Sequence, residues 1–136
     1  PEVFNHNVET VPRLYPIARR GSDFLRSARV LRNAKAMGGD TVVTKSGLKV
    51  GLGESFEEMV ETFGLLREHE VQVLTVGQYL RPTENHLPVE RYWHPDEFEA
   101  LEREAYGMGF ESVAAGPLVR SSYHADEHLP EPAEAL

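Results

Sequence analysis

Arg120-Ser-Ser-Tyr-His124 sets a guanidinium, two hydroxyls, a phenol and an imidazole side by side, directly after a Gly116-Pro117 turn. Hydroxyls in such a run can ligate a metal, act as nucleophiles, or simply solvate a loop. Ser121, Ser122 and His124 admit a hydrolase, although no acid or nucleophile elbow accompanies them. Three further clusters carry polar chemistry. Asn5, His6, Asn7 and Glu9 offer amides, an imidazole and a carboxylate, suited to a polar ligand or to a metal ion. Gly51 and Gly53, followed by Glu54, would let backbone approach a ligand closely, or would merely make a tight turn. No Gly-Lys-Ser/Thr follows them, so they are not a phosphate-binding P-loop. Gln78 and Tyr79 close an apolar run, and His86, His94, His124 and His128 fall in no HExxH register.

Each cluster follows a stretch that reads as a β-strand. Val3 and Phe4 form a short apolar start, and Pro12 and Pro16 break the segment after it into a loop and a helical turn. Ser22 and Asp23 open a helix with Phe24, Ala28 and Leu31 on one face, stopped by Gly38-Gly39. Residues 41–50 predict a strand running into a glycine-rich turn over 47–53. Ser55 and Glu58 form a capping box for a helix whose Phe56, Met59, Val60, Phe63 and Leu66 share a face. Residues 71–76 predict a nearly uncharged strand, and 81–95 an irregular, proline-punctuated stretch. Pro95, Asp96 and Glu97 begin a third helix, with Phe98, Leu101, Ala105 and Met108 on its buried side and Gly109 at its end. A last strand over 112–115 leads to the Arg120–His124 segment. The alternation predicts βα units around a parallel sheet, with ligands at the carboxyl ends of the strands. A sheet of this size leaves open edges, and the chain starts at Pro1 in a strand end, so further N-terminal sequence is expected to complete the fold.

At 136 residues the chain fits one domain, and 40% hydrophobic with 26% charged residues is ordinary for a globular protein. A net charge of -8 argues against nucleic acid or an anionic membrane as partner, and no apolar run spans a bilayer. With no cysteine, disulfides, thiol nucleophiles and a complete iron–sulfur site are excluded within the chain, and a reducing, cytoplasmic setting is expected.

Five strings resemble the lipoyl synthase family of radical S-adenosylmethionine enzymes. They are Phe4-Asn-His-Asn-Val-Glu-Thr10, Thr44-Lys-Ser-Gly-Leu48 with Gly51-Leu-Gly-Glu54, Val76-Gly-Gln-Tyr-Leu80, His86-Leu-Pro-Val89, and Gly116-Pro-Leu-Val-Arg-Ser-Ser-Tyr-His-Ala125. They occur in family order and cover nearly all of residues 1–126; the Arg-Ser-Ser-Tyr string is close to diagnostic. The resemblance implies the C-terminal half of a partial (β/α)6 TIM barrel, an α/β fold, over residues 1–125, with a disordered tail at 126–136. It implies S-adenosylmethionine and two [4Fe–4S] clusters in the full-length enzyme. One cluster, on a CxxxCxxC motif, cleaves the cofactor to a 5′-deoxyadenosyl radical, which takes hydrogen from C6 and C8 of an octanoyl chain on a lipoyl-carrier protein. The auxiliary cluster donates the sulfur, making the enzyme a sulfurtransferase of lipoate biosynthesis that also needs a reducing electron donor.

By the same resemblance Asn5, Asn7, Glu9, Gly51, Gly53, Glu54 and Gln78 bind the cofactor. Ser122 ligates the auxiliary cluster, with Ser121 as the other choice, and Arg120, Tyr123 and His124 belong to the loop at cluster or substrate. Both cysteine motifs belong to the family's N-terminal half, so this chain alone is expected to be inactive and to hold no cluster. The rival reading is a catalytically inactive βα module that binds a ligand or carrier protein.

Overall fold

A computed structural model describes residues 2–119 of the chain. Four strands, β1 (Glu2–Asn5), β2 (Val42–Val50), β3 (Val73–Gln78) and β4 (Ser112–Gly116), pair in the order β1-β2-β3-β4, all parallel. The first crossover carries a 3₁₀ turn (Pro12–Leu14), α1 (Tyr15–Ala18) and α2 (Phe24–Gly38); the second and third carry α3 (Phe56–Glu68) and α4 (Pro95–Gly107). Parallel neighbours in sequence order, each joined through a helix, make the parallel sheet that the alternation predicts, consistent with the partial TIM-barrel-like fold that the resemblance implies.

The helices start where their caps dictate. The Asp23 carboxylate accepts the Leu25 N–H at 3.0 Å. Ser55 and Glu58 complete both arms of the capping box, at 3.1 and 3.0 Å. Pro95 lies in the first turn of α4, where the Glu97 carboxylate accepts the His94 N–H at 2.8 Å. Each cap is worth about 1 kcal/mol. Glu97 also pairs with Arg91 at 2.9 Å, which holds its carboxyl down at about 2.

Cross-strand partners share a face, so register sorts the sheet into two sides. Leu48, Val50, Leu74, Val76 and Val113 are buried in one core with Ala28 and Leu31 of α2, Met59, Phe63 and Leu66 of α3, and Phe98, Leu101 and Ala105 of α4. Each such side chain contributes roughly 1.5–3 kcal/mol of apolar burial. The alternate residues, Lys45, Gly47 and Lys49 of β2, Thr75 and Gly77 of β3, and Ala114 and Gly116 of β4, face the other way. Toward the carboxyl ends that side is small and polar, while Val3, Val43 and Val73 share it nearer the amino ends.

The chain after β4 turns back onto this polar side. Val119 N–H donates to the Gly116 carbonyl at 3.2 Å, and the Val119 carbonyl lies where a Cβ on Gly77 would sit. Only glycine at 77 admits that crossing. Two boundaries differ from the sequence expectation. β3 runs 73–78 and not 71–76, because Glu70 takes a left-handed φ of 63° and Val71 N–H donates to the Leu66 carbonyl at 3.1 Å, spending Val71 on closing α3. β2 continues through Gly47 to Val50, so the glycine turn is confined to 51–53.

Candidate ligand site at the strand ends

Asn5, Val50, Gln78 and Gly116 end the four strands, but the rim is stepped. Asn5 pairs with Lys45, five residues before the end of β2, or about 17 Å along the strand. Residues 6–9 climb that step beside β2. His6 N–H donates to Lys45 O at 3.0 Å, Glu9 N–H to Gly47 O at 3.0 Å, and Lys49 N–H to Glu9 O at 2.8 Å. Four residues on one side match three on the other between these bridges, a bulge pinned by Val8 N–H on the Ser46 hydroxyl at 3.2 Å and by Tyr15 O–H on the Val8 carbonyl. Burial of Tyr15 pushes its phenol up to about 12, so it stays a donor.

Glu9 therefore reaches the level of Leu48, two residues below Val50, which pairs with Gln78. Strand spacing puts the Glu9 and Gln78 backbones about 12 Å apart, a nucleoside-sized span. Asn5 lies a step deeper, with Asn7 on the climb between them. The structure thus sets Gln78 highest, Glu9 two residues below it and Asn5 deeper still, on a descending rim.

Glu9 is the most constrained of these residues. It is 4% exposed, adopts a φ of 73°, and its carboxylate lies 3.9 Å from the Arg19 guanidinium and 3.7 Å from the Lys49 ammonium. A bulky residue in the left-handed region with a buried charge between two cations is over-determined by its surroundings, a condition that gathers at ligand sites. Asn5 Oδ1 and Thr10 Oγ1 are buried without a hydrogen-bond partner among the described residues. Buried polar atoms are ordinarily satisfied, so these two are open acceptors for an incoming group.

The other expected binding residues act on the chain itself. Glu54, 5% exposed, accepts Gly51 N–H at 2.8 Å and Leu52 N–H at 3.0 Å. Burial raises its pKa, and those two N–H bonds oppose the rise. Gln78 Nε2 donates to the Tyr79 and Arg91 carbonyls at 3.0 and 3.1 Å, while its Oε1 accepts Trp93 N–H at 2.9 Å. The amide thereby ties the strap 91–93 across the end of β3. Gly51, at φ 103°, lies under that strap: a Cβ there would meet Gln78 Nε2 and would sit 2.8 Å from the Arg91 carbonyl. Gly53, at φ 112°, has room on its Cβ side. In this structure the glycine at 51 admits the protein's own strap.

Lys49, which stands where the resembled family usually has an apolar residue, pairs with Glu9, and Lys45 was not singled out in the sequence. Lys45 is 9% exposed on the polar side of β2, next to Asn5 across the strand pair, and its ammonium makes no ion pair or hydrogen bond among the described residues. Burial alone lowers its pKa. A lysine out of phase with the apolar positions of the strand was the available signal. Because a buried, unpaired ammonium is costly, Lys45→Met is expected to stabilise the fold by about 1–2 kcal/mol. Urea unfolding checks this, and a loss of stability of that size would mean the charge already has a partner.

Ser121, Ser122, Arg120, Tyr123 and His124 lie outside the described residues, as does the tail expected at 126–136. Among the described residues, no group of three or more His, Cys, Asp or Glu side chains is placed to hold a metal ion, and no helix is long and apolar enough to cross a membrane.

Fold and site together define a parallel βα unit with a cluster of polar, partly buried side chains toward the carboxyl ends of its strands. No protein-family profile matches the chain. It is similar to the lipoyl synthase of Bordetella avium, 59% identical over 127 residues, covering 93% of this chain and 38% of that protein. The lipoyl synthases of Pseudomonas entomophila (56% over 131 residues, 96% of the chain) and Pseudomonas fluorescens (57% over 127 residues, 93%) match it comparably, covering 38% and 37% of those proteins. The similarity to these lipoyl synthases extends over more than nine-tenths of the chain, and the chain spans about two-fifths of the length of the curated relatives it matches.

Proposed function

We propose that this chain is the C-terminal part of a lipoyl synthase, a cytoplasmic sulfurtransferase that inserts two sulfurs at C6 and C8 of a protein-bound octanoyl chain. The observation that carries the reading is identity of 56–59% spread along 93–96% of the chain. In the whole protein, S-adenosylmethionine and two [4Fe–4S] clusters, fed by an electron donor, would supply the hydrogen abstraction and the sulfur.

The site fits the adenosylmethionine ligand. Glu9, charged and held between Arg19 and Lys49, would accept hydroxyl protons of a sugar, and Asn5 and Asn7 would add amide hydrogen bonds along the step of the rim. Gly51, Gly53, Glu54 and Gln78 would form the opposite wall, with Glu54 and Gln78 holding the backbone in place. The described residues supply no thiolate and no metal-ligand group, so cluster cysteines must come from outside this chain.

Ser122 is proposed as a single oxygen ligand of the auxiliary cluster, with Ser121 as second choice and Arg120, Tyr123 and His124 around it. Chain reach supports the placement. Val119 lies over Gly77 on the polar side of the sheet, and three residues span at most about 11 Å. The test is anaerobic assay of the full-length protein, reconstituted with iron and sulfide, on an octanoyl-lysine peptide. Lipoyl product with 5′-deoxyadenosine supports the reading. Adenosylmethionine cleavage without sulfur insertion overturns the assigned reaction, and no cleavage overturns it in favour of the inactive binding module.

A further inference from the structure

We propose that the exposed face of α2 docks an acidic protein surface, that of the domain carrying the acyl chain. The identity of that domain rests on the function proposed above; the charge of its surface does not. Residues 13–35 hold seven of the chain's fourteen Lys and Arg but only one of its twenty-two Asp and Glu. The remainder, seven cations against twenty-one acids, is strongly negative. A protein of net charge -8 has thus concentrated its positive charge on one segment.

Four of these seven cations are also uncommitted among the described residues. Arg13 is paired with Glu58, Arg19 with Glu9, and the Lys35 ammonium donates to the Val42 carbonyl. Arg20, Arg26, Arg29 and Arg32 are exposed and make no ion pair among the described residues. On α2, Phe24, Ser27, Ala28 and Leu31 are buried, and Arg26, Arg29 and Arg32 recur every third residue on the outer side, spanning about 9 Å. Leu25 and Met37 stand among them, 46% and 89% exposed. Arginine and methionine around apolar contacts make the composition of a protein interface, and a guanidinium fork fits a carboxylate bidentately.

Position favours the same partner. α2 runs antiparallel to the strands, so its first turn stands at the carboxyl-end rim and Gly38 at the opposite end. At the rim end a concavity of about 610 Å³ is lined by Arg20, Ser22 and His86 among others. A domain seated on α2 would present a long acylated side chain to the strand ends. A polyanion such as RNA would meet the acidic remainder of the chain, which an acidic patch on a compact domain can avoid.

The test compares two substrates of the full-length enzyme, the octanoylated carrier domain and an octanoyl-lysine tripeptide with no domain surface. Arg26→Glu/Arg29→Glu/Arg32→Glu is expected to raise KM for the domain about tenfold and leave kcat and the tripeptide KM unchanged. Raising salt to about 0.3 M is expected to raise the wild-type KM for the domain alone, since surface attraction is then screened. A domain KM indifferent to salt overturns the proposal without any variant. An unchanged domain KM in the triple variant, or equal loss on both substrates, overturns it too. So does arginine-dependent binding of RNA or phosphatidylserine vesicles in place of the domain. If the wild type modifies neither substrate, the function proposed above fails, and titration of the domain against wild type and variant still decides the docking face.

Discussion

Gly51→Ala is expected to destabilise the fold by about 3–5 kcal/mol, a large part of a typical domain's stability. Two costs combine. Alanine at a φ of 103° sits where side chains are rarely tolerated, worth about 1–3 kcal/mol. Its Cβ would also enter the space of the Gln78 amide and the Arg91 carbonyl. Displacing Gln78 breaks its bonds to Tyr79, Arg91 and Trp93, at about 1 kcal/mol each. Gly53→Ala is the internal control. Its φ is similar, but the nearest atom to its Cβ is Glu90 Cγ at 3.8 Å, so only the backbone cost of about 1–3 kcal/mol applies. Urea unfolding of both variants checks the difference. Equal losses would mean that the strap does not rest on Gly51.

What could be read in advance follows from the range of the interactions. The Ser55–Glu58 box, the Asp23 cap and Pro95 at the head of α4 are contacts within a few residues, and the structure has all three. The parallel order of strands followed from the alternation of elements. The end of α3 did not, because Val71 is as apolar as a strand residue and only the left-handed Glu70 shows that it belongs to the helix closure. Gly47 looked like part of a turn because glycine is rare in strands; its place on the small, polar side of the sheet is a register fact.

The site divides the same way. That its residues follow strand ends was legible, but the depth of each was not. Asn5 falls below Glu9, and Glu9 below Gln78, because β2 outruns β1, which depends on pairing between segments some forty residues apart. The Lys49–Glu9 contact spans a similar separation, and Lys45 is conspicuous only once its burial is known. Gln78 was expected at a ligand and is found tying down residues 91–93, an arrangement set by an irregular loop with no periodic signal.

The second large effect concerns the terminal segment in the full-length enzyme. Ser122→Ala is expected to cut lipoyl product by about 100-fold or more, while 5′-deoxyadenosine formation stays within a few-fold of wild type. On the function proposed above, cofactor cleavage would fall to a different cluster and would not need Ser122, whereas sulfur insertion would need the cluster that Ser122 is proposed to ligate. Alanine removes the oxygen without adding bulk. Ser122→Cys supplies a thiolate, a better ligand for iron, and is expected to retain the cluster but release sulfur slowly. Ser121→Ala is expected to be the milder change. The deciding measurement is lipoyl product, 5′-deoxyadenosine and bound iron, taken in parallel on wild type, Ser122→Ala and Ser121→Ala. The account predicts that Ser122→Ala loses product and auxiliary-cluster iron but keeps 5′-deoxyadenosine; equal loss of both products, or unchanged sulfur insertion with full iron, would contradict it.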